Sequence, residues 1–258
     1  MPLLLKVPVT ENMTLQFVGY AETAICMAAL IVLVVRNKWS AYWALGWFLI
    51  VRLVAGVSLP VIIHFADRLE KQTAYRAYFY VFWAAFALES VLALLVLYNI
   101  LRVTMRPLRG LRRLASMVFG TIALLAVFCT VAPVFSRTTG LKFLVATISQ
   151  LQRTQSLVTI LMLLPVVLVL RPMGLSFRSP VFGVTLGLGL LAINDLVWFR
   201  WLPSHPDAMM SYDVIHGVVL CTILTVWAVY FALPEPERRE LALPAGSPLL
   251  RWNRMWLD

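Results

Sequence analysis

The apolar stretches of this sequence are interrupted by four ionisable residues, and these are the side chains best placed to do chemistry. They are Glu22, Arg52, Glu89 and Asp195. A buried carboxyl group can bind a proton or a cation, and a buried guanidinium group can neutralise a carboxylate or hold an anion. These residue types therefore predict a polar site for a proton or a small ligand.

The four groups are expected at a similar depth in a bilayer. Each lies 12 to 15 residues from the end of its apolar segment on the predicted cytoplasmic side. This separation is roughly 18–22 Å at the rise of an α-helix. An isolated charge at that depth costs roughly 2.5–3.5 kcal/mol or more. We therefore expect the four side chains to face a shared interior, together with Asn194, which adjoins Asp195.

Pairing within this layer leaves carboxyl groups in excess. Arg52 and Glu89 are expected to pair because they lie on consecutive antiparallel segments. With three acids and one arginine, at least one of Glu22, Glu89 and Asp195 is expected to carry a proton at neutral pH. The alternative is an ion pair that only fixes how the helices align.

A second polar group lies nearer the opposite end of the segments. The run SQLQRTQS contains Gln150 and Arg153, and the last apolar segment contains Asp213 and His216. These residues either meet water or form an outward-facing vestibule leading to the charge layer. In the vestibule interpretation, Arg153 is expected to neutralise Asp195 or to meet an anionic ligand.

The elements that must position these groups are membrane-spanning helices. The chain has 258 residues, of which 61% are hydrophobic and 13% charged, which is too apolar for a water-soluble core. Segments long enough to cross a bilayer occur seven times, so we predict an all-α, polytopic integral membrane protein. The predicted spans are 15–35, 41–65, 75–101, 114–135, 144–170, 180–202 and 212–233.

The distribution of Lys and Arg predicts the orientation. Thirteen of these residues fall in the connections on one side and seven on the other, and the richer side is expected to be cytoplasmic. This places an extracytoplasmic N-terminus at 1–14, the helical domain at 15–233 and a cytoplasmic tail at 234–258. The end of the tail is expected either to lie on the membrane interface, through Arg251, Trp252, Arg254 and Trp256, or to be disordered.

The formal charge of +10 is assigned to loops that face anionic lipid on the cytoplasmic side. We expect no nucleic-acid partner, because the basic residues adjoin spans. Neither a metal motif nor a cofactor motif is found, and the seventh span has no lysine that could form a retinal Schiff base. No characterised family is recognised.

The leading functional interpretation is a non-catalytic sensor or small-ligand-binding protein, expected in the plasma membrane. It would signal to a separate protein, because the short connections and tail leave no room for an output domain. The first alternative is a proton-coupled solute transporter, and the second is a structural subunit of a membrane complex. A membrane-embedded enzyme ranks last, since no nucleophile or metal set is visible.

Overall fold

The structure, a computed structural model, is all-helical in the residues it describes. These are 13–65, 71–105, 108–135, 141–170, 176–201, 204–205, 209–234, 253 and 255–256. They contain seven helices: α1 (Met13–Val35), α2 (Trp43–His64), α3 (Lys71–Thr104), α4 (Arg109–Phe135), α5 (Leu141–Leu170), α6 (Pro180–Trp201) and α7 (Met209–Ala232).

The helices lie where the apolar segments predicted them, with ends displaced by five residues at most. Within the described chain, five are long and apolar enough to cross a membrane, as expected of an integral membrane protein. They are α1, α2, α3, α6 and α7. The helices extend past some predicted spans because flanking polar and basic residues continue the same hydrogen-bonded helix, as at α3 and α4.

Six of the helices form a closed ring. In chain order α1, α2, α3, α5, α6 and α7 each contact the next, and α7 returns to α1. The fourth helix packs outside the ring against α3 and α5, while α3 also contacts α6 across it. A hydrogen bond of 2.6 Å from Arg36 Nη2 to the carbonyl oxygen of Ala232 joins the ends of α1 and α7.

The two ends of the bundle differ in packing. We call the end where α1, α3, α5 and α7 finish and α2, α4 and α6 begin the basic end, because Arg36, Arg102, Arg112 and Arg113 lie there. The largest fully buried side chains all lie in the half nearer this end: Leu33, Leu45, Leu49, Leu97, Ile100, Leu188, Ile223, Leu224, Trp227 and Phe231. The basic half is therefore a dry, close-packed core.

Aromatic rings and glycines make this core dense. Trp227 meets Phe48 edge to face at 6.0 Å between ring centroids. Gly187 lies directly beneath the indole of Trp227, and a methyl group there would overlap the ring. Small residues thus bring α6 and α7 close together.

Candidate functional site

Arg52 bridges two carboxylates from neighbouring helices. Its Nε donates to Glu22 Oε1 at 2.7 Å, and its Nη1 donates to Glu89 Oε2 at 2.6 Å. A planar guanidinium can hold two carboxylates at once because its N–H groups point in fixed, divergent directions. The three side chains are 16–21% exposed, so they form a partly buried ion triad that ties α1, α2 and α3 together.

Asp195 on α6 forms a separate cluster with α5. Its Oδ2 accepts hydrogen bonds from Ser156 Oγ at 3.2 Å and from Gln152 Nε2 at 3.3 Å. The residue is only 4% exposed, yet its Oδ1 makes no hydrogen bond within the described part of the chain. A buried acceptor without a partner costs about 1–3 kcal/mol, so Oδ1 is a position where a donor would be stabilised.

A third polar cluster joins α6 to α7. The indole N–H of Trp198 donates to Asn194 Oδ1 at 3.1 Å, which turns the amide nitrogen toward His216. Asn194 Nδ2 then lies 2.8 Å from His216 Nδ1. Because an indole nitrogen can only donate, the amide oxygen of Asn194 faces Trp198 and its nitrogen faces the imidazole.

One cavity of about 350 Å³ connects the first two clusters and reaches His216 of the third. Its wall is built by all six helices of the ring and by side chains in the half away from the basic end. Its polar lining consists of Glu22, Arg52, Glu89, Ser90, Gln152, Gln155, Asp195, Tyr212, Asp213 and His216. Phe48, at its inner side, packs on Trp227 of the dry core.

The charge of this cavity is unbalanced. Four carboxyl groups and one guanidinium group lie among its described lining residues, and Arg52 is already bonded to two of the carboxylates. Aromatic rings add negative π-faces, among them Phe82 and Phe86, whose rings stack at 5.9 Å. Both features favour a positively charged guest.

The structure brings most of the sequence-predicted site residues together. Glu22, Arg52, Glu89, Asp195 and His216 line the cavity, and the expected pairing of Arg52 with Glu89 is present. Asn194 is not among the lining residues but holds His216 in place.

Gln150 and Arg153 are placed elsewhere. Both side chains are exposed, and neither is among the residues lining the cavity. The expected partner of Asp195 was Arg153, but Gln152 and Ser156 hold it instead. Helical periodicity explains the difference, because positions 152 and 156 share the inward face while 150 and 153 turn outward.

Sequence reasoning did not single out several lining residues. Gln152 and Gln155 line the cavity, and Ser156 holds Asp195 behind it. All three belong to the polar run SQLQRTQS, and their spacing of three and four residues indicates one face of the helix. The aromatic side chains of Phe82, Phe86 and Tyr212 give no such signal, because aromatic residues are common throughout the same segments.

The tail residues are described only in part. Arg251, Trp252 and Arg254, predicted to anchor the tail at the membrane interface, lie outside the described residues. Trp256 is described and is 38% exposed. It contributes to a second cavity at the basic end, lined also by arginines of α3 and α4.

Comparison with known proteins adds no assignment. No protein-family model matches this chain, and neither a curated protein nor a solved structure is significantly similar to it.

Proposed function

We propose that this chain is a seven-helix membrane protein that binds a small cation in an outward-facing polar cavity. The observation that carries the proposal is the convergence of Glu22, Arg52, Glu89 and Asp195 on one cavity. The protein acts as a sensor or binding protein in the plasma membrane. It signals ligand binding to a separate protein at its cytoplasmic surface.

The seven-span topology is part of this proposal. Helices α4 and α5 have 27 and 30 residues, which corresponds to roughly 40 and 45 Å of helix. A bilayer core is about 30 Å thick. With both helices spanning, the basic end faces the cytoplasm, in line with the excess of Lys and Arg in its loops.

The chemistry of the cavity favours a cation over other small ligands. Asp195 Oδ1 is a buried acceptor without a partner, and Asp213 supplies a further carboxyl group at the exposed end. The charge of an ammonium group beside Asp195 would offset the surplus of carboxylates. The rings of Phe82 and Phe86 would add cation–π attraction.

Binding is favoured over passage through the bundle. The cavity lies in the half opposite the basic end, and the core beneath it is filled by Trp227, Phe231 and Tyr42. Tyr42 and Phe231 meet edge to face at 5.0 Å. A solute in the cavity would meet packed side chains on its inner side, as in a receptor.

The melting temperature of the purified protein tests the proposal. We expect methylammonium, tetramethylammonium or putrescine to raise it, because a ligand that binds only the folded state adds about 2.7 kcal/mol at a hundredfold excess over its Kd. Acetate and glucose serve as an anionic and a neutral comparison. The matched variants are Gln152→Ala, at the cavity, and Gln150→Ala, on the exposed face of the same helix.

The expected result is a cation-dependent shift that Asp195→Asn abolishes, that Gln152→Ala weakens and that Gln150→Ala leaves unchanged. A shift produced only by glucose or acetate would contradict a cationic ligand. Equal effects of Gln150→Ala and Gln152→Ala would contradict the assignment of the cavity.

A proton-coupled carrier is the second candidate. The observation in its favour is again the unpartnered Asp195 Oδ1, which can take up a proton as readily as a cation. In proteoliposomes, a carrier that moves a proton together with its solute would acidify the lumen when methylammonium is added outside. Asp195→Asn would stop this proton flux. A structural subunit would instead co-purify in a stable complex and show neither response.

A further inference from the structure

A second cavity, of about 580 Å³, lies at the basic end between the end of α3 and the start of α4. Three arginines line it, namely Arg102 of α3 and Arg112 and Arg113 of α4. None of its described lining residues carries a carboxyl group. It is chemically the opposite of the acidic cavity in the other half.

The arginines of α4 lie near a helix end that disfavours positive charge. Arg112 and Arg113 lie near the N-terminal end of the helix, whose first turn contains no acidic residue. The backbone N–H groups at a helix N-terminus already carry partial positive charge, so nearby cations are repelled. An anion between these guanidinium groups would remove the repulsion and accept their hydrogen bonds.

Two described residues near the C-terminus, Asn253 and Trp256, form the cover of this cavity. Trp256 lines it, and Asn253 Oδ1 accepts a hydrogen bond of 2.9 Å from the backbone N–H of Gly110. The backbone of Asn253 lies so close to Gly110 that a side chain there would overlap it. The cover is therefore fitted to a glycine at the start of α4.

The wall of the cavity has a polar part and an apolar part. Tyr98 and Ser116 share a hydrogen bond of 3.2 Å between their hydroxyl groups. Leu101 and Met117 add apolar surface, and Met117 is 46% exposed beside Val118, which is 44% exposed. This arrangement suits a molecule whose charged head sits among guanidinium groups while its apolar part lies along α4.

We infer that this cavity is a binding site for a phosphate group, supplied by the headgroup of an anionic lipid, and that Trp256 closes over it. Arg102, Arg112 and Arg113 contact the phosphate oxygens. With the basic end at the membrane surface, Trp256 would lie near the headgroups, which is the preferred position of tryptophan in membranes. The inference is independent of the cation site in the opposite half.

Titration of the full-length protein in neutral detergent with short-chain lipids tests the site. The probes are dioctanoyl phosphatidylglycerol, dioctanoyl phosphatidylcholine and sodium phosphate, and the readout is the Kd. We expect the double variant Arg112→Gln, Arg113→Gln to weaken phosphatidylglycerol binding by about tenfold or more, the effect of losing one charge-assisted contact or more. Arg178→Gln, an exposed arginine in the loop between α5 and α6, is the matched control.

The probes distinguish the source of the phosphate. Tight binding of phosphatidylglycerol, with weak binding of phosphatidylcholine and inorganic phosphate, supports a lipid site. Equal binding of sodium phosphate, also lost in the double variant, supports the same site with a soluble anion. Phosphatidylglycerol binding that the double variant retains, or that Arg178→Gln weakens as strongly, overturns the inference.

A second variant keeps the site testable if the double variant does not fold. Trp256→Ala changes the cover and leaves both helices intact, and it too should weaken phosphatidylglycerol binding. If the double variant does not fold, as judged by its circular dichroism and elution volume, Arg102→Gln replaces it. Normal lipid affinity in both Trp256→Ala and Arg102→Gln overturns the site in the same way.

Discussion

At the scale of single residues, the central feature is that one guanidinium serves two carboxylates. Breaking a buried ion pair by removing one partner is costly because it leaves a charge without compensation. In this triad the three positions are not equivalent. Glu22 and Glu89 each share Arg52 with the other, whereas Arg52 is the counter-ion of both.

This asymmetry gives a prediction for the free energy of unfolding, measured by titration of micelles with a denaturing detergent. Arg52→Met leaves two facing carboxylates without a cation and should lower the stability by about 3–5 kcal/mol. Glu89→Gln leaves the bond between Arg52 and Glu22 intact and should cost less, about 1–3 kcal/mol.

A triple variant provides the control for this prediction. Glu22→Gln, Arg52→Met and Glu89→Gln together remove every charge of the triad, so most of the loss caused by Arg52→Met should be recovered. If Arg52→Met alone is as mild as Glu89→Gln, or if the triple variant recovers nothing, the two carboxylates do not depend on a shared counter-ion.

The charge layer also shows how far a sequence can predict a site. The convergence of Glu22, Arg52, Glu89 and Asp195 follows from depth and from the cost of isolated charge, both of which can be read from residue spacing. The spacing of Gln152, Gln155 and Ser156 marks one face of α5, but Gln150 and Arg153 make the opposite face polar as well, so spacing alone does not say which face turns inward. Which face turns inward depends on the helices beside it, and Asp195 on α6 decides it.

At the scale of elements, the seam between α6 and α7 depends on glycine. Gly183 lies against the ring of Tyr230 and Gly187 against the indole of Trp227. The four-residue spacing of this pair is typical of a close contact between membrane helices. It could not give the facing aromatic residues, because the register of α7 against α6 is set by contacts distant in the chain.

Substitution of these glycines should separate packing from helix propensity. Gly187→Ala places a methyl group inside the indole of Trp227, and the forced shift should destabilise the protein by about 1–3 kcal/mol. Gly189→Ala, two residues along the same helix, meets only Leu163 Cδ1 at 3.6 Å, an ordinary contact. It should be neutral or stabilising by up to about 1 kcal/mol, since alanine favours helix.

The measurement for this pair is the same detergent titration, made at one protein concentration. Gly120→Ala on α4, where nothing lies within 4 Å of the added carbon, calibrates the gain from propensity alone. Equal stabilities of Gly187→Ala and Gly189→Ala would show that α6 and α7 are not packed as closely as described.

At the scale of the whole molecule, two chemically opposite cavities lie toward opposite ends of the bundle. The acidic cavity lies inside the ring, in the half away from the basic end, and the arginine-lined cavity lies between α3 and α4 at the basic end. Composition and charge distribution predicted the helices and the richer basic side. They could not give the size or the full lining of either cavity, because both depend on how several helices fit together.

The acidic cavity faces the outside of the cell only if the bundle crosses the membrane in the proposed orientation. Labelling of intact cells tests this orientation. In a variant whose Cys26, Cys129 and Cys221 are replaced by alanine, single cysteines are introduced at Arg178, at Ser204 and at Thr138, between α4 and α5. A membrane-impermeant maleimide should label positions 138 and 204 from outside. Position 178 should react only after permeabilisation, because its loop lies at the basic end.

Each position reports on a separate part of the topology. Reversed labelling at 178 and 204 would place the basic end outside, and the acidic cavity would then open toward the cytoplasm. Protection of position 138 with normal labelling at 204 would mean that α4 and α5 do not both cross the bilayer. The cation-binding proposal requires that positions 138 and 204 are labelled from outside and that position 178 is protected. Only then can a solute from outside the cell reach the layer of Glu22, Arg52, Glu89 and Asp195.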